Sequence, residues 1–245
     1  MGKVIKTGID GLDAMLYGGI PEGSQVVVAG GPGAGKTLLS FEYCYRNAKA
    51  GNTCMFFALE EDPERVIENA KSAFKNFTDI DALVKSKKLV VGGESIANVL
   101  HGGVDPSGSS QYEFSKIVSD IESLVVSTGA KRIAIDSLSV LDMLISDPVT
   151  YRRSMLALAG NLRKLGVTAL LTAEMPTPER SKLRFRTEMF LFDGIILMYE
   201  KGEQEKRMLA MEVIKMRGSK HSFVTTPYEI TSNGINVISA EGMGF

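Results

Sequence analysis

The chain has 245 residues, 44% of them hydrophobic and 23% charged, with a formal net charge of −1. This is the mix of a soluble globular protein, and the length suits one large α/β domain over residues 1–245; the near-neutral balance disfavours a strongly basic nucleic-acid binder. No apolar run approaches a membrane span, the N-terminus lacks a charged-then-apolar signal pattern, and Cys44 and Cys54 have no metal-ligand spacing, so reduced buried thiols, no membrane partner and a cytoplasmic location are expected.

Residues 1–24 contain Thr7-Gly8-Ile9-Asp10-Gly11-Leu12-Asp13 and then Gly18-Gly19-Ile20-Pro21-Glu22-Gly23. Asp10 is expected to cap a short helix with Leu12, Met15 and Leu16 turned inward. The glycines and Pro21 then turn the chain into a first buried strand at residues 25–29. A helix over 38–50 follows, ended by Gly51, and then a strand over 53–58. Asp62 before Pro63 predicts a capped helix start, with Val66, Ala70, Ala73 and Phe77 at helical spacing up to residue 77.

Residues 89–91 read as a short strand and 92–111, rich in Gly and Ser, as a long loop. A helix is predicted over 112–127, a strand over 132–136, a helix over 151–165 and a strand over 167–172. This alternation implies a mostly parallel sheet covered on both faces. Segments 194–200, 206–216, 228–230 and 235–238 read as strands, with a tight turn at Ser232-Asn233-Gly234. They are expected as antiparallel additions to the parallel core.

Between the strand at 25–29 and the helix at 38–50 stands Gly30-Gly31-Pro32-Gly33-Ala34-Gly35-Lys36-Thr37, which fits the phosphate-binding pattern G-x-x-x-x-G-K-[ST]. Glycines let backbone N–H groups approach phosphate oxygens, and the helix N-terminus, continuing into Leu38, adds a favourable partial charge. Lys36 is expected on the β- and γ-phosphates of ATP and the Thr37 hydroxyl on Mg²⁺. The competing reading is a plain glycine-rich turn.

Three acids fall where a P-loop ATPase needs them. Asp136 ends an apolar strand, as a second Mg²⁺-side acid does, directly or through water; otherwise it caps the next turn. Glu60 and Glu61 end the strand after the P-loop helix, where one of them is placed to polarise an attacking water; otherwise they are solvated acids before a helix N-terminus. Lys215 and Arg217, taken alone, are alternate residues on one solvated strand face, and His221 is a surface histidine.

The order of these motifs, closed by Ile135-Asp136-Ser137 and Lys215-Met216-Arg217-Gly218-Ser219-Lys220-His221, resembles the RecA superfamily and, within it, the single-domain archaeal KaiC-like ATPases. The Glu60-Glu61 pair together with Lys-x-Arg-Gly-Ser-x-His is the specific part. The resemblance implies a RecA-like core forming a homo-oligomeric ring, usually a hexamer, with ATP at each subunit boundary. It implies that Glu60 and Glu61 form the catalytic pair and that Ser72 lies near the base. It implies that Lys215, Met216, Arg217, Ser219 and His221 reach a neighbour's nucleotide, with Lys215 and Arg217 as cations supplied in trans. A guanidinium near the γ-phosphate stabilises charge in phosphoryl transfer and makes turnover depend on assembly.

Two departures stand out. KaiC itself has two tandem domains, and its phosphoacceptor Ser-Thr pair aligns with Met189 and Phe190, which cannot accept phosphate; Thr187 is nearby but misplaced. Autophosphorylation at that site is not expected. Ser232 stands where the resemblance suggests an acid.

Glu174, ending the strand after 167–172, is either a relay of nucleotide state or a plain strand-end acid. After it come Arg180, Lys182, Arg184 and Arg186, four cations in seven residues, with Leu183 and Phe185 between them. They suit a pore touching nucleic acid, pairing with acids, or plain solvation. The favoured function is a slow, ring-forming regulatory ATPase with an unknown protein client. A recombinase paralogue on single-stranded DNA and a nucleotide-switched scaffold of the archaellum-accessory kind are the alternatives.

Overall fold

A computed structural model describes residues 2–93, 110–177, 179–201 and 208–238. In chain order the elements are β1 (Val4–Ile5), α1 (Asp10–Met15), β2 (Ile20–Pro21), β3 (Gln25–Gly30), α2 (Lys36–Lys49), β4 (Cys54–Ala58), α3 (Pro63–Ala73), α4 (Ile80–Lys85) and β5 (Leu89–Gly93). Then follow α5 (Ser110–Thr128), β6 (Arg132–Asp136), α6 (Leu138–Leu144), α7 (Pro148–Leu165), β7 (Thr168–Glu174), β8 (Gly194–Lys201), β9 (Met208–Met216), β10 (Thr226–Thr231) and β11 (Gly234–Val237).

Nine strands form one sheet in the order β11-β10-β9-β8-β3-β7-β6-β4-β5. All six residues of β3 are buried, as a central strand requires. The period-2 geometry of β3 divides its side chains between two cores. Val27 and Ala29 pack with Ile121 of α5, Leu141 of α6 and Leu158 of α7. Val26 and Val28 pack on the other face with Leu12 of α1, Phe41 of α2 and Val66 of α3. Each such buried aliphatic side chain contributes about 1.5–3 kcal/mol from removal of apolar surface from water.

The strands from β8 across to β5 are parallel, and β9, β10 and β11 are antiparallel. The α/β sheet with antiparallel C-terminal strands is as expected, with one correction. β8 is not an antiparallel addition: it lies parallel to β3, with Val26 opposite Gly194 and Gly30 opposite Met198. Its six buried residues in succession, Gly194 to Tyr199, mark it as a core strand covered on both faces.

Helix ends also differ from expectation. Asp10 is the first residue of α1 and caps nothing; Ile9 holds the cap position. The buried Asp13 instead reaches back, accepting hydrogen bonds from the Thr7 N–H at 2.7 Å and the Gly8 N–H at 3.2 Å. Asp62 holds the cap position of α3, with Pro63 first in the helix, but makes no side-chain cap hydrogen bond. That helix stops at Ala73, four residues early, because Phe74 leaves helical geometry and the Asn76 N–H is taken by the Ser232 carbonyl. α7 begins at Pro148, where Asp147 accepts from the Thr150 N–H at 2.8 Å. Most of the expected 92–111 loop lies outside the described residues. Its first two residues belong to β5 and its last two to α5.

The β10–β11 hairpin is tied to α2. Glu42, fully buried, accepts the Ile235 N–H at 2.7 Å, and Arg46 donates to the Asn233 carbonyl at 2.9 Å. Cys44 and Cys54 are buried free thiols; burial pushes Cys54 up to about 12.

Candidate nucleotide site

Parallel strands end on one edge of a sheet, so β3, β4, β6 and β7 deliver their C-terminal residues to the same place. The P-loop leaves β3 at Gly30. A Cβ there would stand 2.4 Å from the Met198 carbonyl oxygen, so the close approach of β8 requires glycine. Gly35 precedes α2 with φ 84°, in the left-handed region that glycine tolerates. It has no side chain to cap the helix, and the first turn holds no acid. The N-terminal N–H groups of a 14-residue helix are therefore left for an anion. Tyr228 of β10 reaches in to donate to the Ala34 carbonyl at 2.5 Å, fixing the loop from the antiparallel side.

Lys36 folds back over the loop and donates to the Gly31 carbonyl at 3.0 Å. Burial lowers its pKa, while the nearby charges of Glu174, Glu60 and Asp136 act in the opposite direction. Thr37 donates to Asp136 at 2.8 Å, and Thr172 of β7 donates to the other Asp136 oxygen. Burial raises the pKa of Asp136, and these two hydroxyls oppose the rise. The glycine cradle, the uncapped helix start, Lys36, and a hydroxyl beside a buried carboxylate fit a nucleoside triphosphate with a hard divalent ion. No cluster of three or more His, Cys, Asp or Glu suited to a metal occurs among the described residues. A hard ion here would be shared with phosphate oxygens rather than caged by protein alone.

The two glutamates separate. Glu60 accepts a hydrogen bond from Ser137, the residue after Asp136, and its N–H donates to the Asp136 carbonyl at 3.3 Å. Glu61 turns to α3, accepting from Asn69 at 2.8 Å and lying 3.7 Å from Arg65. Thr172, Ser137 and Ser139, which accepts the Glu174 N–H at 2.8 Å, are site residues that sequence reasoning did not single out. Their signal was position alone: each lies within three residues of a strand-end acid, Ser137 and Ser139 after Asp136 and Thr172 before Glu174.

The remaining expected residues lie elsewhere. Met216 pairs with Gly194, which pairs with Val26 at the start of β3, so Lys215 and Arg217 sit at the opposite edge of the sheet from the P-loop. Four strand steps from Val26 to Gly30 are about 13 Å. Lys215 donates to the Phe190 and Phe192 carbonyls at 3.0 and 2.8 Å; Arg217 donates to those of Leu191 and Phe190 and lies 3.5 Å from Asp193. Ser219 donates to the Lys220 carbonyl, and His221 Nδ1 is 2.9 Å from the Ser222 carbonyl. Ser72 is exposed on the last turn of α3. None of these meets the P-loop cluster within the chain.

In the 180–186 loop, Arg180 pairs with Glu212 at 3.1 Å, Lys182 with Glu179 at 2.8 Å and Arg186 with Asp142, while Arg184 holds the Leu183 carbonyl. No helix among the described residues is long and apolar enough to cross a membrane.

A family model described as the KaiC ATPase matches residues 5–242. A circadian clock oscillator protein KaiC of Picosynechococcus is 30% identical over 98% of this chain, which spans 45% of that protein's length. A UPF0273 protein of Aeropyrum pernix is 32% identical over 95% of this chain and 92% of its own. The crystal structure of a KaiC-like protein from the archaeon Pyrococcus horikoshii superposes with a TM-score of 0.81 at 27% identity, covering 98% of this chain and all of that one.

Proposed function

The chain belongs to the KaiC ATPase family, and from that premise we propose that residues 1–245 form a single RecA-like unit that binds ATP with Mg²⁺ and hydrolyses it in a ring of identical subunits, usually a hexamer. The observation that carries the reading is the meeting of Lys36, Thr37, Asp136 and Glu60 at one sheet edge, beside an uncapped helix N-terminus. Gly30 to Leu38 line the phosphates, and Lys36 moves from the Gly31 carbonyl to phosphate oxygens. Thr37 and Asp136 would hold the metal, which would supply positive charge to offset that of the phosphates. Glu60, oriented by Ser137, holds the attacking water and draws its proton; Glu61 supports α3.

Lys215 and Arg217 act on the nucleotide of the next subunit, with Met216, Ser219 and His221 completing that wall. Their position at the far edge of the sheet supports this, because a head-to-tail ring joins two different surfaces of the same chain and so could bring that edge of one copy to the P-loop of the next. The carbonyls of residues 190–192 and Asp193 hold both cations in place beforehand. Ser72 contacts the base. Nucleic acid is not favoured, since three of the four cations in the 180–186 loop are paired with carboxylates of the same chain. A regulatory role on an unidentified protein client completes the proposal.

The test is calorimetry of ATP binding at varied Mg²⁺. The wild type is expected to bind more tightly as Mg²⁺ rises. Thr37→Val is expected to bind with affinity independent of Mg²⁺; an undiminished Mg²⁺ dependence in that variant would overturn the metal assignment.

A further inference from the structure

Beside the P-loop, on the sheet face covered by α5, α6 and α7, lies a cavity of about 340 Å³, within the range of small-molecule sites. Leu138, Met155, Met175, Met189 and Phe192 form its apolar wall, each at most 5% exposed. Methionines reshape around different ligands, and a volume of this size admits an aromatic ring. Four charged residues also line the cavity, Asp142, Glu174, Glu188 and Arg186. Arg186 is bound to Asp142 and lies 4.8 Å over the Tyr151 ring. Arg152 comes within 3.9 Å of Glu188. Glu174, exposed at the end of β7, makes no ion pair among the described residues.

We propose that this cavity is a second binding site, for a small organic ammonium ion whose aromatic body fills the methionine-lined volume and whose ammonium group rests on Glu174. Asp142 and Glu188 are offset by Arg186 and Arg152, so Glu174 is the carboxylate left without an ion pair among the described residues, and it disfavours an anion of the same shape. The site is wired to the P-loop. Pro32 is part of its wall, the Met175 N–H donates to the Gly30 carbonyl at 2.9 Å, and the Glu174 N–H donates to Ser139 in α6, three residues after Asp136. Glu174 also lies in the field of Lys36. Occupancy therefore changes nucleotide affinity, and nucleotide changes occupancy by the same factor. This coupling rests on the nucleotide reading above; the binding itself does not.

The experiment titrates the full nucleotide-free chain with tryptamine, indole and indole-3-acetate by calorimetry. Tryptamine is expected to bind at least tenfold more tightly than indole-3-acetate, with indole between. Glu174→Gln is expected to reduce tryptamine to the level of indole, and Met155→Trp, which fills the volume, to remove binding. Should Met155→Trp fail to fold, methyl NMR of the wild type serves instead: tryptamine should shift the Met155, Met175 and Met189 signals and leave that of Met208, exposed on β9, unmoved. Equal affinity for tryptamine and indole-3-acetate, undiminished binding in folded Met155→Trp, or unshifted cavity methyl signals would each overturn the site. At saturating tryptamine the ATP affinity should change at least threefold, and an unchanged value would overturn the coupling.

Discussion

At the C-terminal edge of the parallel strands, Lys36, Thr37, Asp136 and Glu60 arrive from three strand ends; Thr37 and Glu60 bond to Asp136, and Lys36 lies in the field of both acids within a single chain. At the opposite edge, Lys215 and Arg217 hold carbonyls of residues 190–192 and the Asp193 carboxylate, about 13 Å of strand away from the P-loop. The second edge presents two cations that, among the described residues, are held by backbone carbonyls and one carboxylate and lie away from the P-loop. On the proposed reading, a site divided this way would make catalysis conditional on assembly, because the charge that stabilises phosphoryl transfer would come from another copy.

The largest effect that sharpens the contrast is expected at the far edge. Arg217→Ala should lower turnover by about 10³-fold, the loss typical of a transferred guanidinium, while particle mass and ATP binding stay near wild type. Steady-state phosphate release with light scattering checks this; lost assembly would instead make Arg217 a packing residue.

Next comes the near edge. Glu60→Gln should cost about 10²-fold in turnover and Glu61→Gln less than about tenfold, since only Glu60 is held beside Asp136. Equal losses would break the separation drawn between them.

The smallest effect concerns stability. Burial raises the Asp136 pKa, so the folded chain holds that proton more tightly than the unfolded one. Stability from this group is greatest below the unfolded value, falls as pH rises through the raised folded one, and the cost is complete above it. Asp136→Asn should therefore raise the melting temperature of the nucleotide-free protein at pH 7. It should abolish Mg²⁺-dependent turnover at the same time. Differential scanning calorimetry checks the sign.

The near edge was legible in the sequence because its logic is local. An apolar run ending in an acid, or in glycines followed by lysine and threonine, states both the strand and what it delivers. The role proposed for the far edge came only from resemblance, since Lys215 and Arg217 alone read as a solvated strand face. β8 was misplaced for a similar reason: an apolar strand does not state its direction, and the polar connection after it suggested a hairpin meander. α4 and α6, six and seven residues long, escaped because two turns carry too little periodicity. Thr172 and Ser137 escaped because a hydroxyl becomes informative only once it is seen donating to a carboxylate.

The most direct test of the divided site is complementation by mixing. Glu60→Gln and Arg217→Ala are each silenced on a different side of the interface. Co-assembled one to one, they should recover about a quarter of wild-type turnover, because in a closed head-to-tail ring that fraction of interfaces joins an intact Glu60 to an intact Arg217. Mixed rings that form and stay as inactive as either parent would contradict the account, placing both residues in service of the same subunit.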